Sequence, residues 1–225
     1  MYGILPVDKP AGISSFGVVA KVRGIIKAET GQKIKIGHTG TLDPAATGLL
    51  ILVLGKYTKR ASEFSKLDKS YDAEITLGKT STTGDNEGEI TPVSDKKPSL
   101  QTIEAVLKQF TGQINQTPHK FSAVKVDGQR AYKLAREGKE VVIGPRKVTI
   151  YEITDISYAY PRLKFTAKVS SGTYIRSLAE DIGTKLHTGA YLSGLKRTEV
   201  GDFDLKDAAK ISDLSYSSIL NNLKQ

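Results

Sequence analysis

The chain has 225 residues, 39% apolar and 25% charged, which fits an ordinary soluble globular protein with a sizeable core. Its 33 Lys and Arg outnumber 24 Asp and Glu, giving a net charge of +9 and a pI near 9.5, a balance that favours a polyanionic partner such as nucleic acid. Cysteine is absent, which excludes disulfides, thiol nucleophiles and cysteine zinc sites, and no apolar run approaches the roughly 20 residues that span a bilayer.

From the N-terminus, Met1-Tyr2-Gly3-Ile4 leads into fold-like sequence without a signal-peptide pattern. Ile4 to Val7 reads as a short strand entering a turn at Asp8-Lys9-Pro10-Ala11-Gly12. Ser14 or Ser15 is placed to cap a helix through about Ile26. The run Gly37 to Leu50 then sets one carboxylate, Asp43, among small, turn-forming and hydroxyl residues. Gly37, Gly40 and Gly48 allow close approaches that a side chain would block. Pro44 fixes its own φ and biases Asp43 away from the helical region. On local physics alone, a turn-capping aspartate and a functional one are equally good readings.

Leu49 to Leu54 reads as a buried strand, and Tyr71 to Leu77 as a strand of period two. Gly78 to Gly88 is polar and reads as loop. Ser99 caps a helix to Phe110 with Leu100, Ile103, Val106, Leu107 and Phe110 on one face. Gln116 to Arg146 interleaves His119, Lys120, Lys125, Arg130, Lys133, Arg136, Lys139 and Arg146 with Phe121 and Tyr132. That pattern suits phosphate contact plus stacking, or equally a solvated basic face. Val148 to Ile156 and Leu163 to Val169 read as strands, Tyr174 to Leu186 as a helix, and Ile211 to Leu223 as a terminal helix. No internal repeat is visible, and strands and helices mix without regular βα alternation. The expected class is α+β with a mixed, largely antiparallel central sheet flanked by helices.

The run Gly37-His38-Thr39-Gly40-Thr41-Leu42-Asp43-Pro44-Ala45-Ala46-Thr47-Gly48-Leu49-Leu50 closely resembles the signature segment of the TruB family of tRNA pseudouridine synthases. The resemblance spans roughly Ile4 to Phe203 and implies the pseudouridine synthase fold. It implies that Asp43 is the nucleophile acting on the T-loop uridine of tRNA, conventionally number 55. Pseudouridine formation breaks a C–N glycosidic bond, turns the uracil and makes a C–C bond. It calls for a carboxylate, a proton acceptor and a closed site, and for no redox cofactor or metal. A carboxylate in an enclosed site protonates unless a cation or hydrogen bonds hold it ionised.

The resemblance supplies the other members. Ser170-Ser171-Gly172-Thr173-Tyr174-Ile175-Arg176-Ser177-Leu178 resembles a family motif whose arginine pairs with the aspartate, so Arg176 is the expected catalytic partner and Tyr174 a substrate contact. A guanidinium binds a carboxylate through two parallel hydrogen bonds, which a lysine does not reproduce. Lys69-Ser70-Tyr71 implies that Tyr71 stacks on the target base and takes part in proton transfer, with Asp85 holding the base or a neighbouring loop. His38 is expected to fill the gap left when the nucleotide flips out, lowering the few kcal/mol of extrusion. Phe121 to Lys125 and Ala131 to Gly138 resemble elements of a family insertion, a thumb folding over RNA at about 116–146, with Lys125 as an RNA contact and Phe121 in place of a more usual Tyr. Lys9-Pro10-Ala11-Gly12-Ile13-Ser14-Ser15 resembles a motif supporting the active-site loop, with Lys9 also counted among RNA-binding residues. Leu195 is expected at the bound base, and Lys196 and Arg197 at phosphate.

Gly78-Lys79-Thr80 looks like the end of a phosphate-binding loop, yet the glycine required five residues earlier is Ala73, so an NTPase reading fails. The division expected is a catalytic domain at 1–210 and a short helix or tail at 211–225, with no PUA-type domain. The expectations are completed by a cytoplasmic monomer without metal, cofactor, membrane or obligate protein partner, bound to the T-stem-loop and elbow of tRNA. The competing reading is a tRNA-folding factor in which catalysis is secondary.

Overall fold

The computed structural model describes every residue except Ala123 and Asp127, and side chains except also those of Lys125, Arg130, Tyr132 and Arg136. The chain runs β1 (Gly3–Lys9), α1 (Ser15–Thr30), β2 (Ile36–His38), β3 (Thr47–Leu54), α2 (Ala61–Ser65), β4 (Lys69–Leu77), β5 (Lys79–Ser81) and β6 (Ile90–Pro92). It continues with α3 (Leu100–Phe110), β7 (Gly112–Gln116), β8 (Lys125–Val126), β9 (Gln129–Arg130), α4 (Ala131–Arg136), β10 (Arg146–Ala159) and β11 (Arg162–Val169). It ends with α5 (Ile175–Lys185), β12 (Ala190–Val200), β13 (Phe203–Asp204), β14 (Ala209–Lys210) and α6 (Tyr216–Asn222). Two compact units form, one from Met1–Asp72 with Leu195–Gln225 and one from Ala73–Gly194.

In the first unit β1 pairs antiparallel with β3 and parallel with β14. β3 also pairs antiparallel with β2 and parallel with β12. Leu50, Leu52 and Leu54 point to one face of β3 and join Val18, Val19, Val22 and Ile26 of α1 and Ile219 of α6. Leu49, Ile51 and Val53 point to the other face, where Phe64 of α2 and Val200 close over them. Burial on both faces explains why this strand is apolar without alternation. Ser14 caps α1 by accepting from the Gly17 N–H at 3.0 Å, and Gly31 ends it in the left-handed region.

The second unit is built on the antiparallel pairs β7–β10 and β10–β11. α3 packs on β10 and α5, burying Ile103, Val106, Leu107 and Phe110. Gln116 faces Arg146 in the β7–β10 register, so the stretch between them leaves and re-enters the sheet at one rung. That stretch carries the β8–β9 hairpin and α4. The architecture is thus α+β with a mixed, largely antiparallel sheet.

Two sequence expectations differ from the structure, and one strand lies where the sequence announces no element. The polar stretch from Gly78 contains β5, which pairs with β6 as a hairpin. The terminal helix is broken: Ile211–Asp213 is a 3-10 turn, and Ser215 restarts the chain as α6 through a reciprocal capping box with Ser218. Residues 190–200 form an eleven-residue strand, β12, that the mixed polar sequence does not announce.

Candidate active site

Asp43 is exposed on the loop between β2 and β3. The chain on either side of it is held firmly. Ser15, nearly fully buried, both donates to the Leu42 carbonyl and accepts from the Leu42 N–H, each at 2.9 Å. The Pro44 carbonyl accepts from the Gly12 N–H at 2.9 Å and from Lys9 Nζ at 3.2 Å. Asp43 turns the chain by accepting, through its own carbonyl, from the Ala46 N–H at 3.1 Å. The segment Lys9 to Ser15 therefore grips both neighbours of the acid while leaving its side chain presented.

Lys9 is 0% exposed, and its ammonium also donates to the carbonyls of Pro10 and Ile13 at 2.9 and 2.8 Å. Burial pushes its pKa down, Asp43 pulls it back up, and Arg197 pushes it down again. Arg197 is 2% exposed and ties the two ends of the loop, donating to the Leu49 carbonyl at 2.7 Å and to the Gly40 carbonyl at 3.0 Å. The phosphate-contact expectation for Arg197 and the RNA-binding expectation for Lys9 are therefore corrected: both side chains are buried under the Asp43 loop. Lys196, the neighbour of Arg197 on β12, is exposed, because successive strand residues face opposite ways.

Tyr71 sits on β4 at 8% exposure. Two residues earlier, Lys69 donates to the carbonyls of Ser65 and Leu67, and burial with the Arg197 charge lowers its pKa to about 8. His38 is half-buried at the end of β2, opposite Leu52 in the register. The half-buried Leu195 gives its carbonyl to the Thr47 hydroxyl at 3.4 Å.

In the second unit Arg176 forms an ion pair with Asp85 at 2.7 Å and donates to the Thr83 carbonyl at 3.2 Å. Both partners of the pair are well buried, at 13% and 15% side-chain exposure. Asp85 also accepts from the Thr83 hydroxyl at 2.6 Å and the Glu87 N–H at 3.0 Å. Such an acceptor-rich carboxylate orients the guanidinium while holding its own loop. Tyr174 stands at the start of α5. The side chain of Lys125 lies outside those described.

His119 and Glu180 were not singled out as a pair by sequence. Nε2 of His119 lies 3.7 Å from Oε1 of Glu180. Burial, with the charges of Arg176 and Lys120, drives the His119 pKa down to about 4 against a smaller opposing pull from Asp85. His119 is therefore neutral near pH 7 and is not a phosphate-binding cation. Burial and Asp181 push Glu180 up to about 7, with Arg176 opposing and Asp85 adding.

Ionising Glu180 thus costs stability as pH rises from its ordinary 4.5 through about 7. Glu180→Gln is expected to match the wild type at low pH and to exceed it at high pH. The gain is about 1 kcal/mol, well below the full shift, because the side chain is 35% exposed. Urea unfolding at about pH 5 and about pH 8 measures this, and an equal difference at both would contradict it.

Among the described residues, no cluster of three or more metal-ligating side chains occurs, and no helix is long and apolar enough to cross a membrane.

Residues 25–175 match the family described as TruB family pseudouridylate synthase (N terminal domain), and residues 176–223 match the tRNA pseudouridylate synthase B C-terminal domain. A tRNA pseudouridine synthase B from Cupriavidus metallidurans is 43% identical over 216 residues, covering 95% of this chain and 67% of its own. One from Phocaeicola vulgatus is 45% identical over 210 residues, covering 92% of this chain and 89% of its own. Among solved structures, a chain of a Cbf5-Nop10-Gar1 complex superimposes with a TM-score of 0.72 and 30% identity. That match covers 94% of this chain and 53% of the other, so this chain spans about half of that longer one.

Proposed function

The chain belongs to the TruB family of pseudouridylate synthases, and from that premise we propose that it isomerises the T-loop uridine of tRNA, position 55, to pseudouridine. The observation that carries this reading is the bracing of the Asp43 loop. Buried Ser15, Lys9 and Arg197 hold the backbone at residues 40, 42, 44 and 49 around one exposed acid. Preorganisation of this kind is what covalent or electrostatic catalysis by a carboxylate requires.

In the proposed reaction the target nucleotide leaves its stack and the C1′–N1 bond breaks. The uracil turns without dissociating, and C5 bonds to C1′. N1 takes up a proton as C5 gives its own to solvent, so the product is an isomer and nothing is oxidised or reduced. Asp43 takes part as nucleophile. Tyr71 stacks on the base, and His38 occupies the vacated position in the RNA. Arg176, with Tyr174 and Asp85 beside it, supplies positive charge that keeps carboxylate chemistry available. Leu195 contacts the base, and Lys125 and Lys196 contact phosphate.

The basic surplus of +9 supports a polyanionic substrate. Tritium release from transcribed tRNA carrying tritium at uridine C5 tests the activity. Release of about one equivalent per tRNA without added cofactor or metal is the expected result. No release from a tRNA that the protein binds would overturn the reading.

A further inference from the structure

Gln116 is the last residue of β7 and is 1% exposed. A buried carboxamide needs partners for both its donor and its acceptor ends. Here both ends go to one residue. Nε2 donates to the Tyr174 carbonyl at 3.0 Å, and Oε1 accepts from the Tyr174 N–H at 2.8 Å. The amide thereby makes the two-bond exchange that a neighbouring strand residue would make.

Tyr174 occupies the N-cap position of α5, yet its own side chain makes no capping hydrogen bond. Its carbonyl also accepts the first helical bond, from the Leu178 N–H at 3.0 Å. The helix start is thus fixed from outside, by Gln116. The contact continues along the next turn. Ser177 Oγ donates to the Thr117 carbonyl at 3.0 Å, and His119 meets Glu180 beyond it. Arg176 lies between these rungs, with its guanidinium on Asp85 and Thr83.

We propose that Gln116 is a positioning residue for the isomerisation: by clamping the Tyr174 backbone it fixes the start of α5 and so the direction in which Arg176 is presented. The inference rests on the catalytic reading above. Gln116 itself touches no substrate.

Gln116→Met keeps the volume and removes both hydrogen bonds. Gln116→Glu keeps the acceptor for the Tyr174 N–H and removes the donor, and serves if the first variant folds poorly. Single-turnover pseudouridine formation is expected to fall about ten- to hundredfold in Gln116→Met, with tRNA affinity unchanged within about twofold. In an Arg176→Lys background the same change is expected to add little, because both act through one group. Hydrogen exchange in the peptide spanning 172–178 is expected to speed up, with the rest of the chain unchanged.

A loss that adds fully to that of Arg176→Lys, a matching loss of tRNA affinity, or unaltered exchange at 172–178 would overturn the proposal. An inactive wild type would overturn the catalytic reading instead. The exchange result alone would then decide whether Gln116 positions α5.

Discussion

Asp43→Asn is expected to lower pseudouridine formation about 10⁴-fold or more while leaving tRNA bound and the protein folded. The amide preserves shape and hydrogen-bonding capacity but removes the charge and the nucleophilic oxygen. The backbone of the loop is held by contacts made outside that side chain. Leu42 is held by Ser15, Pro44 by Gly12 and Lys9, and the turn by the Asp43 carbonyl. Stability should therefore change by no more than about 1 kcal/mol, as for other exposed positions. Single-turnover kinetics, filter binding and thermal unfolding on one preparation separate these effects. Residual activity within about tenfold of the wild type would remove Asp43 from the chemistry.

Gly48→Ala is expected to act oppositely, through the fold. Gly48 has φ +97°, a region that L side chains rarely adopt. A Cβ there would lie 2.2 Å from the Arg197 carbonyl oxygen and 2.8 Å from the Arg197 nitrogen. Both are backbone atoms of the paired strand, since Arg197 stands opposite Gly48 in the parallel β3–β12 register. Neither can swing aside as a flexible side chain would. Strain and overlap together are expected to cost about 3 kcal/mol or more, lowering Tm by roughly 10 °C for a chain of this size. The guanidinium of Arg197 holds Gly40 and Leu49, so displacing its backbone also loosens the Asp43 loop. Activity should fall with stability. Wild-type melting behaviour in this variant would show that the rung yields more readily than its geometry allows.

These two positions show what the sequence discloses and what it withholds. Periodicity finds α3 with its Ser99 cap, because the apolar positions and the cap are local. It finds β3, because a strand covered on both faces is continuously apolar. It misses β12, whose exposed Lys196 and buried Arg197 look alike in sequence. Only the fold separates them, placing Arg197 beside carbonyls from residues about 150 positions away. It shortens β10, where register shifts after Ile150 and Thr154 break the alternation that marks a strand. The family-like motifs point to Asp43, Tyr71 and Arg176, yet they also lead to Lys9 being counted as an RNA contact and Arg197 as a phosphate contact. Their burial under the loop appears only in three dimensions, as does the meeting of Gln116 with Tyr174. His119 reads as one more base in a basic stretch until its desolvated setting makes it neutral. The one sequence signal for such residues is their place inside tight motifs, Lys9 before Pro10 and Arg197 before Thr198.

The central claim is that a braced, exposed carboxylate isomerises one uridine of tRNA. Pseudouridine mapping on an unmodified tRNA transcript, incubated with the wild type or Asp43→Asn and no cofactor, tests it most directly. The account predicts modification at the T-loop uridine, position 55, by the wild type alone. An unmodified T-loop in a transcript that both proteins bind would contradict it and favour a tRNA-folding factor.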